Sequence, residues 1–294
     1  MVFTLRSSTA GQHVNKTVLI TGASSGFGLL TSVTLAKRGW RVLATMRDLN
    51  RRDKLEAAAL DAGILDRIEF HPLDITNAGQ IAKIADLVAG RAEPLHALVN
   101  NAGFAVPGFA EDVTDAELRD QFDTNFFGTV AVTRALLPQM RRQGFGHVVM
   151  VTSISGRLGY PGVSSYSASK FALEGWTETL RYEMLSLGIQ VVLVEPGSFE
   201  TDIWTRNAKV TAALRNPDPA NAQRVGRWRA KLAQGAKSRA NPEVVADAIA
   251  RILANPKPKL RYVVGKDAKM ALIMRRILPA GMFERMIAKM SGLD

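Results

Sequence analysis

The sequence predicts an α/β fold with a mostly parallel central sheet, and two features carry this prediction. Short apolar runs rich in Val, Ile and Leu alternate with segments of helical periodicity along much of the 294-residue chain. Parallel strands need crossover connections, usually helices, so this alternation predicts a doubly wound sheet. A glycine loop, residues 22–28, follows the first apolar run directly, as in Rossmann-type folds. We therefore expect a three-layer sandwich around a seven-stranded sheet.

The predicted strands are short and apolar, as buried parallel strands are. In chain order they cover residues 16–21, 41–45, 67–73, 95–100, 146–152, 189–195 and 260–264. The predicted helices run from the glycine loop to about residue 38, then over 55–63, 78–88, about 115–142 and 164–187, and from Pro242 onward. No repeat or linker divides the chain, so a single domain is predicted over residues 16–294.

Composition narrows the range of functions. The net charge is +11 and the pI about 10.1, but the basic residues are scattered and do not alternate with aromatic residues, so specific nucleic-acid binding is not expected. The chain has no cysteine, which excludes disulfides and thiolate metal sites. None of the four histidines has a partner at metal-ligand spacing, and no metal is predicted.

Targeting segments are not apparent. No apolar run approaches the roughly 20 residues that a membrane span needs. The first 15 residues are polar and lack the apolar core of a signal peptide, so residues 1–15 are predicted to form a flexible tail. These features predict a cytoplasmic protein.

The richest chemistry lies between residues 153 and 170. Ser153 ends a predicted strand, and Tyr166 and Lys170 lie four residues apart on the next helix, so they share one face. A phenol, an ammonium and a hydroxyl at the carboxyl end of a strand form a proton-transfer site. The charge of Lys170 is expected to lower the pKa of Tyr166. A chance Tyr and Lys on a solvated helix face is the alternative.

The glycine loop is the second candidate site. It lies between a predicted strand and a predicted helix, the context that phosphate binding requires. Glycines allow close approach of the backbone, and the helix start offers unpaired N–H groups to phosphates. A tight structural turn is the alternative interpretation.

Together these motifs resemble the short-chain dehydrogenase/reductase family, over about residues 16–202. Residues 21–28 match its TGxxxGxG loop, and residues 100–103 match its NNAG motif. Asn125, Ser153, Tyr166 and Lys170 stand where the family places its catalytic tetrad, and Pro196 and Gly197 follow the sixth strand as in the family. A weaker likeness around residues 44–47 and 261–269 suggests the steroid- and retinol-dehydrogenase-like branch.

The resemblance implies a mechanism and a set of site residues. Tyr166 would be the general acid or base, Ser153 would bind the substrate oxygen, Lys170 would hold the nicotinamide ribose, and Asn125 would hold a water in a proton relay. A purely structural role for Asn125 in a kinked helix is the alternative. The implied cofactor-binding residues are Gly22, Ser24, Ser25, Gly26, Phe27, Gly28, Arg47, Asp74, Ile75, Asn101, Ala102, Gly103, Tyr166, Lys170, Pro196, Gly197, Phe199 and Thr201.

The end of the second strand indicates NADP(H) rather than NAD(H). NAD enzymes place a carboxylate there for the ribose 2′-hydroxyl, whereas this chain has Arg47, which can pair with a 2′-phosphate. Ser25 would add a hydroxyl contact. The alternative is that Arg47 is a solvated charge.

The expected substrate is a lipophilic carbonyl or alcohol, because the loops at the strand ends are apolar. Ser153, Tyr166, Phe104 and Tyr160 are the predicted substrate-binding residues. Residues 198–240 are predicted to be a substrate lid, with a plain surface insertion as the alternative. Residues 266–294 are predicted to be a helical tail that packs or contacts a subunit rather than a membrane surface, and a homodimer or homotetramer is expected.

Two other functions fit parts of the pattern. A non-catalytic, NADP-binding redox regulator would keep the glycine loop but would be expected to lose Tyr166 or Lys170, and this chain has both. A sugar-nucleotide epimerase or dehydratase would have a TGxxGxxG loop and a longer substrate domain. The sequence therefore favours an oxidoreductase.

Overall fold

A computed structural model describes residues 16–236 and 238–294, so the predicted tail at 1–15 lies outside the described residues. Within them, seven strands form one sheet in the order β3-β2-β1-β4-β5-β6-β7, with every neighbouring pair parallel. The strands are β1 Thr17–Thr21, β2 Arg41–Met46, β3 Ile68–Pro72, β4 Leu95–Asn100, β5 Gly146–Val151, β6 Ile189–Pro196 and β7 Arg261–Val264. The predicted fold is confirmed, and the sheet is wholly rather than mostly parallel.

Helices cover both faces of the sheet. One apolar layer joins strand side chains such as Val18 and Ile20 to α1 (Gly26–Lys37), α2 (Asp53–Asp61) and α9 (Glu243–Ala254). The other joins Leu19 and its neighbours to α3 (Ala78–Ala89), α5 (Thr129–Gln143) and α6 (Ser164–Met184). Alternate residues of β1 thus supply opposite layers. The strand order reverses between β1 and β4, and ligands bind such sheets at the carboxyl ends beside this reversal.

The predicted helix over 115–142 is interrupted. It consists of α4 (Asp115–Phe122), a π-helical turn over Asp123–Gly128, and α5. A π turn inserts one extra residue into a helix, which apolar periodicity does not reveal. At Gly128 a Cβ would lie 2.6 Å from the carbonyl oxygen of Ile75, so this turn packs tightly on the loop after β3.

The predicted helical tail over 266–294 consists of two helices rather than one. It forms α10 (Lys266–Ile277) and α11 (Ala280–Ser291), which meet at Leu278 and Pro279. Pro279 disfavours helical geometry at the residue before it, and Leu278 is extended accordingly. Among the helices of residues 16–236 and 238–294, none has the length and apolarity to cross a membrane.

Candidate active site

A large cavity, of about 1160 Å³, opens at the carboxyl ends of the strands. Almost every residue predicted from the sequence to bind cofactor or substrate lines it. The exception is Gly28; of the four predicted catalytic residues, Asn125 is also absent from the lining. The volume exceeds the upper end of the usual range for small-ligand pockets, about 1,000 Å³.

The glycine loop packs directly on the loop after β4. A Cβ at Gly22 would lie 2.8 Å from the Cα of Ala102, and a Cβ at Gly28 would lie 2.5 Å from the Asn101 amide nitrogen. The Asn101 side chain donates hydrogen bonds to the carbonyl oxygens of Thr21 and Gly22, at 2.9 and 3.1 Å. The two loops therefore form one rigid floor beneath the cavity.

The start of α1 faces this cavity without a capping group. Ser25 occupies the N-cap position, yet its side chain makes no capping hydrogen bond, and the first turn has no acidic residue. The first N–H groups of α1 and the positive end of its dipole are thus free for an anion. Phe27 follows on the same turn and packs edge-on against Phe199, with ring centroids 5.7 Å apart.

Asn125 lies in the π turn and is fully buried. Its amide forms a pair of hydrogen bonds with the backbone of Phe104, at 3.0 and 3.1 Å. A Cβ at Gly103 would meet the Asn125 side-chain oxygen at 3.1 Å and the Lys170 ammonium at 3.9 Å. Asn125 and Lys170 therefore both lie next to Gly103.

Ser153, Tyr166 and Lys170 converge on the cavity from β5 and α6, and each is less than a tenth exposed. The Lys170 ammonium donates a hydrogen bond to the Val151 carbonyl at 3.0 Å and lies 5.8 Å from the centre of the Tyr166 ring. Ser153 accepts a hydrogen bond from the Ser155 N–H at 3.1 Å, which fixes the loop after β5.

The pKa of Tyr166 differs from the sequence-based expectation. Burial raises the pKa of its phenol to about 12, while hydrogen bonding with Ser153 acts in the lowering direction. Burial also lowers the pKa of the Lys170 ammonium to about 8, and the nearby Glu174 opposes this. The expected lowering of the Tyr166 pKa is therefore not found, because desolvation, which penalises the charged form of each group, sets the direction of both shifts.

Arg47 stands where the sequence predicts it, exposed on the cavity wall at the end of β2. A second arginine, Arg51, lines the same wall and was missed by sequence reasoning. Its guanidinium donates to the Asn207 side-chain oxygen at 3.3 Å, and the Asn207 amide donates to the Ser25 hydroxyl, also at 3.3 Å. The one signal in the sequence for this link is that Arg47 and Arg51 lie four residues apart in the same loop.

Two other predicted cofactor residues already have partners. The Asp74 carboxylate accepts hydrogen bonds from the N–H and the hydroxyl of Thr76, at 2.9 and 2.7 Å. Gly197 donates its N–H to the Val264 carbonyl at 2.8 Å, and a Cβ there would meet the Asp267 carboxylate. Ser24, Ile75, Pro196 and Thr201 line the cavity as well.

The predicted lid segment 198–240 contributes described residues, among them Trp204 and Trp228, to the lining of the cavity. It contains α7 (Ala212–Arg215) and α8 (Ala222–Ala236), and Trp228 of α8 buries against Gly162 and donates a hydrogen bond to the Pro161 carbonyl at 3.1 Å. Trp204 packs edge-on against Tyr166, with ring centroids 5.4 Å apart. Phe104 and Tyr160 line the same apolar region.

A buried ionic cluster lies on the same side of α6 as Lys170, one turn further along the helix, and sequence reasoning did not find it. Glu174, one turn after Lys170, accepts a hydrogen bond from the Thr152 hydroxyl at 2.6 Å. Arg261 of β7 contacts Glu174 at 3.3 Å and Glu195 at 3.2 Å. Burial raises the pKa of Glu174 to about 7, with Thr152 and Arg261 acting to lower it.

Comparisons with known proteins identify the family of this chain. The family model for short chain dehydrogenase matches residues 16–211. An uncharacterized oxidoreductase of Bacillus subtilis, YusZ, is 38% identical over 93% of this chain and 98% of its own length. Human retinol dehydrogenase 8 is 36% identical over 84% of this chain and 80% of its own.

A solved structure extends the match to three dimensions. A short-chain dehydrogenase from Streptomyces avermitilis is 37% identical, covers 93% of this chain and 94% of its own, and superposes with a TM-score of 0.77. The predicted family and its retinol-dehydrogenase-like branch are confirmed. With its glycine loop, its parallel sheet and these relatives, the chain belongs to the short-chain dehydrogenase/reductase family of oxidoreductases, which act on alcohol and carbonyl groups.

Proposed function

We propose that this protein is an NADP(H)-dependent oxidoreductase that interconverts a carbonyl and an alcohol on a lipophilic substrate. One observation carries the proposal: the buried Tyr166 phenol and Lys170 ammonium share a single cavity with the uncapped start of α1. The same cavity thus offers a proton donor to a substrate and a helix N-terminus to the phosphates of a cofactor.

The residues present fit a nicotinamide dinucleotide. The free N–H groups of α1 suit a pyrophosphate, and residues 22 and 26 are glycines, which place no side chain of their own before them. At the far end of the loop, Asn101, Ala102 and Gly103 present backbone to the cavity next to Lys170. When bound, such a cofactor supplies or accepts the hydride.

The chain's own groups would handle the proton and the developing charge. With a pKa of about 12, the Tyr166 phenol stays protonated at neutral pH, the state that a general acid in carbonyl reduction requires. Ser153 would donate a hydrogen bond to the same substrate oxygen. Lys170 would hold the ribose, and Asn125 would position the backbone around Gly103 for a proton relay. Trp204 and Trp228 would help exclude water.

The preference for NADP(H) rests on Arg47. Its guanidinium is exposed on the cavity wall, and no carboxylate precedes it at the end of β2. Arg51 and the Ser25 hydroxyl lie on the same wall, so a 2′-phosphate there would meet two cations and a hydrogen-bond donor.

Replacing Arg47 with Ala is expected to weaken NADPH binding by about 10- to 100-fold, because a charge-assisted hydrogen bond contributes about 1.5–3 kcal/mol. NADH binding should change little, since NADH has no 2′-phosphate. Fluorescence titration of the purified protein with each cofactor measures both. Arg52→Ala is the matched control, because Arg52 pairs with Glu56 at 3.1 Å outside the cavity lining. Equal binding of both cofactors by wild type would refute the preference.

The substrate class follows from the lining of the rest of the cavity. Phe104, Pro107, Tyr160, Ile203, Trp204, Leu214 and Trp228 surround the space above Tyr166. These side chains favour an apolar carbonyl or alcohol, such as a steroid or retinoid, over a sugar. The similarity to a retinol dehydrogenase supports the same class. The segment 198–240, which supplies Trp204 and Trp228, would serve as the substrate lid.

We also propose that the protein forms a homodimer or homotetramer through its long helices. Phe127 in the π turn is 56% exposed, and Phe171 and Tyr182 on α6 are 46% and 63% exposed. Large apolar side chains on two neighbouring helices would be covered in such an assembly.

A further inference from the structure

Helix α10 carries apolar side chains on two opposite faces. Ala268 and Leu272 point inward and pack in a cluster with Phe283 of α11. Met270, Ile273 and Ile277 lie three and four residues apart, so they form one stripe on the other face, and they are 53%, 51% and 62% exposed. The inward face accounts for the packing of α10, whereas this α10 stripe contributes little to it.

Cations border the α10 stripe. Lys266, Lys269 and Arg276 are exposed on the same helix, with Lys269 four residues before Ile273 and Arg276 three residues after it. The acidic residue of α10, Asp267, is exposed as well, but its carboxylate accepts a hydrogen bond from the Ser198 N–H at 2.6 Å and lies off the α10 stripe. The outward face of α10 is therefore both apolar and cationic.

We propose that the α10 stripe binds peripherally to a bilayer surface that contains anionic lipids. Apolar side chains of an interfacial helix insert at the boundary between head groups and acyl chains, and flanking Lys and Arg pair with lipid phosphates. A second copy of the chain fits this face poorly. A two-fold symmetric contact pairs the patch with the same patch of the other copy, which would bring Lys269 and Arg276 against a second set of cations.

The cavity lies beside the same helix. Ala271 of α10 and Ile287 and Met290 of α11 line it, and Met290 is 62% exposed at its rim. Ala271 lies on the inward face of α10, one helix diameter, roughly 10 Å, from the stripe. Membrane docking through the α10 stripe would therefore hold this wall of the cavity next to the bilayer, from which a lipophilic substrate can enter. This second step rests on the proposed function, whereas the docking itself does not.

Vesicle sedimentation of the full chain tests the docking. Wild type is expected to sediment with vesicles of phosphatidylcholine mixed with phosphatidylglycerol, and only weakly with phosphatidylcholine alone. Ile273→Ser/Ile277→Ser and Lys269→Glu/Arg276→Glu should each reduce binding by about tenfold or more. Added salt should weaken wild-type binding, since it screens exposed charges. Leu60→Ser on α2, which is 59% exposed, and Arg52→Glu are the matched controls and should bind like wild type.

Two kinds of result would overturn the proposal. One comes from the vesicles: either wild type and the α10 variants sediment equally, or wild type does not sediment with anionic vesicles at all. The other is a change in oligomeric state caused by the α10 variants in the absence of lipid, measured by light scattering, which would identify the stripe as a subunit contact. NADPH titration of the same variants keeps the two proposals separate. If the protein binds vesicles but not NADPH, the proposed function is refuted and the membrane-docking proposal is retained.

Discussion

Tyr166→Phe is expected to lower kcat for carbonyl reduction by about 10²- to 10⁴-fold, the contribution of a positioned general acid. The change removes only the hydroxyl, so the ring keeps its edge-on contact with Trp204 and the site keeps its shape. The phenol that is lost is buried, and its pKa of about 12 keeps it protonated throughout the neutral range. NADPH affinity should stay close to that of wild type, because the α1 start and Arg47 are untouched.

The measurement is a single-turnover reduction of an apolar aldehyde or ketone, followed by the loss of NADPH absorbance. Tyr182→Phe is the matched control. Tyr182 lies later in the same helix, is 63% exposed, and donates its hydroxyl to Glu178 at 3.1 Å. Unchanged turnover in Tyr166→Phe would show that another group supplies the proton. A large loss in Tyr182→Phe as well would point to a general effect on α6.

The fold was largely predictable because its signals are local. Most of the parallel strands contain a continuous apolar run, although β3 alternates apolar and polar residues, and Gly39 closes the first helix in the left-handed conformation, with φ of +85°. The candidate site was predictable for a related reason. Parallel strands bring their carboxyl ends to one edge of the sheet, so residues that follow different strands, such as Asn101 and Ser153, had to meet there.

What was missed depends on contacts between residues far apart in the sequence. The link from Arg51 through Asn207 to Ser25 joins three loops, and the cluster around Arg261 joins β7 to α6 and β6. The direction of the Tyr166 pKa shift was wrong because the spacing to Lys170 shows proximity but not burial. The division of the tail into two helices could have been predicted, since Pro279 marks the break between them. The roles of the site residues stay predictions.

Replacing Arg261 with Met is expected to destabilise the fold by about 3–5 kcal/mol at about pH 8.5, in the range for breaking a buried ion pair. Glu195 is fully buried and Glu174 is nearly so. In the variant, Glu195 would still pair with Arg157 at 3.1 Å. Glu174 would be left with the hydrogen bond from the Thr152 hydroxyl. The next carboxylate along α6, Glu178, would also lose its contact with Arg261 at 2.7 Å.

The loss of stability in Arg261→Met should depend on pH, because Glu174 titrates within the pH range in which unfolding can be measured. Its pKa is raised by burial to about 7 from an ordinary value of 4.5, so its contribution to stability is complete below 4.5 and disappears as the pH rises through 7. Arg261 acts to lower this pKa, so without it the charged form becomes costlier still. The penalty for Arg261→Met should therefore be larger at about pH 8.5 than at about pH 5, where Glu174 is protonated more readily.

Urea unfolding at both pH values measures these differences in the free energy of unfolding. Adding Glu174→Gln to Arg261→Met should recover part of the loss at high pH, because the amide carries no charge and its oxygen can still accept the Thr152 hydroxyl. Arg38→Met is the matched control. It breaks a pair with Asp247 in which both side chains are more than two-fifths exposed, and should cost about 1 kcal/mol or less. Equal losses for Arg261 and Arg38, or a loss that does not change with pH, would mean that water reaches the cluster and screens its charges. In that case Glu174 would titrate as a surface carboxylate, and Arg261 would contribute to stability only through packing.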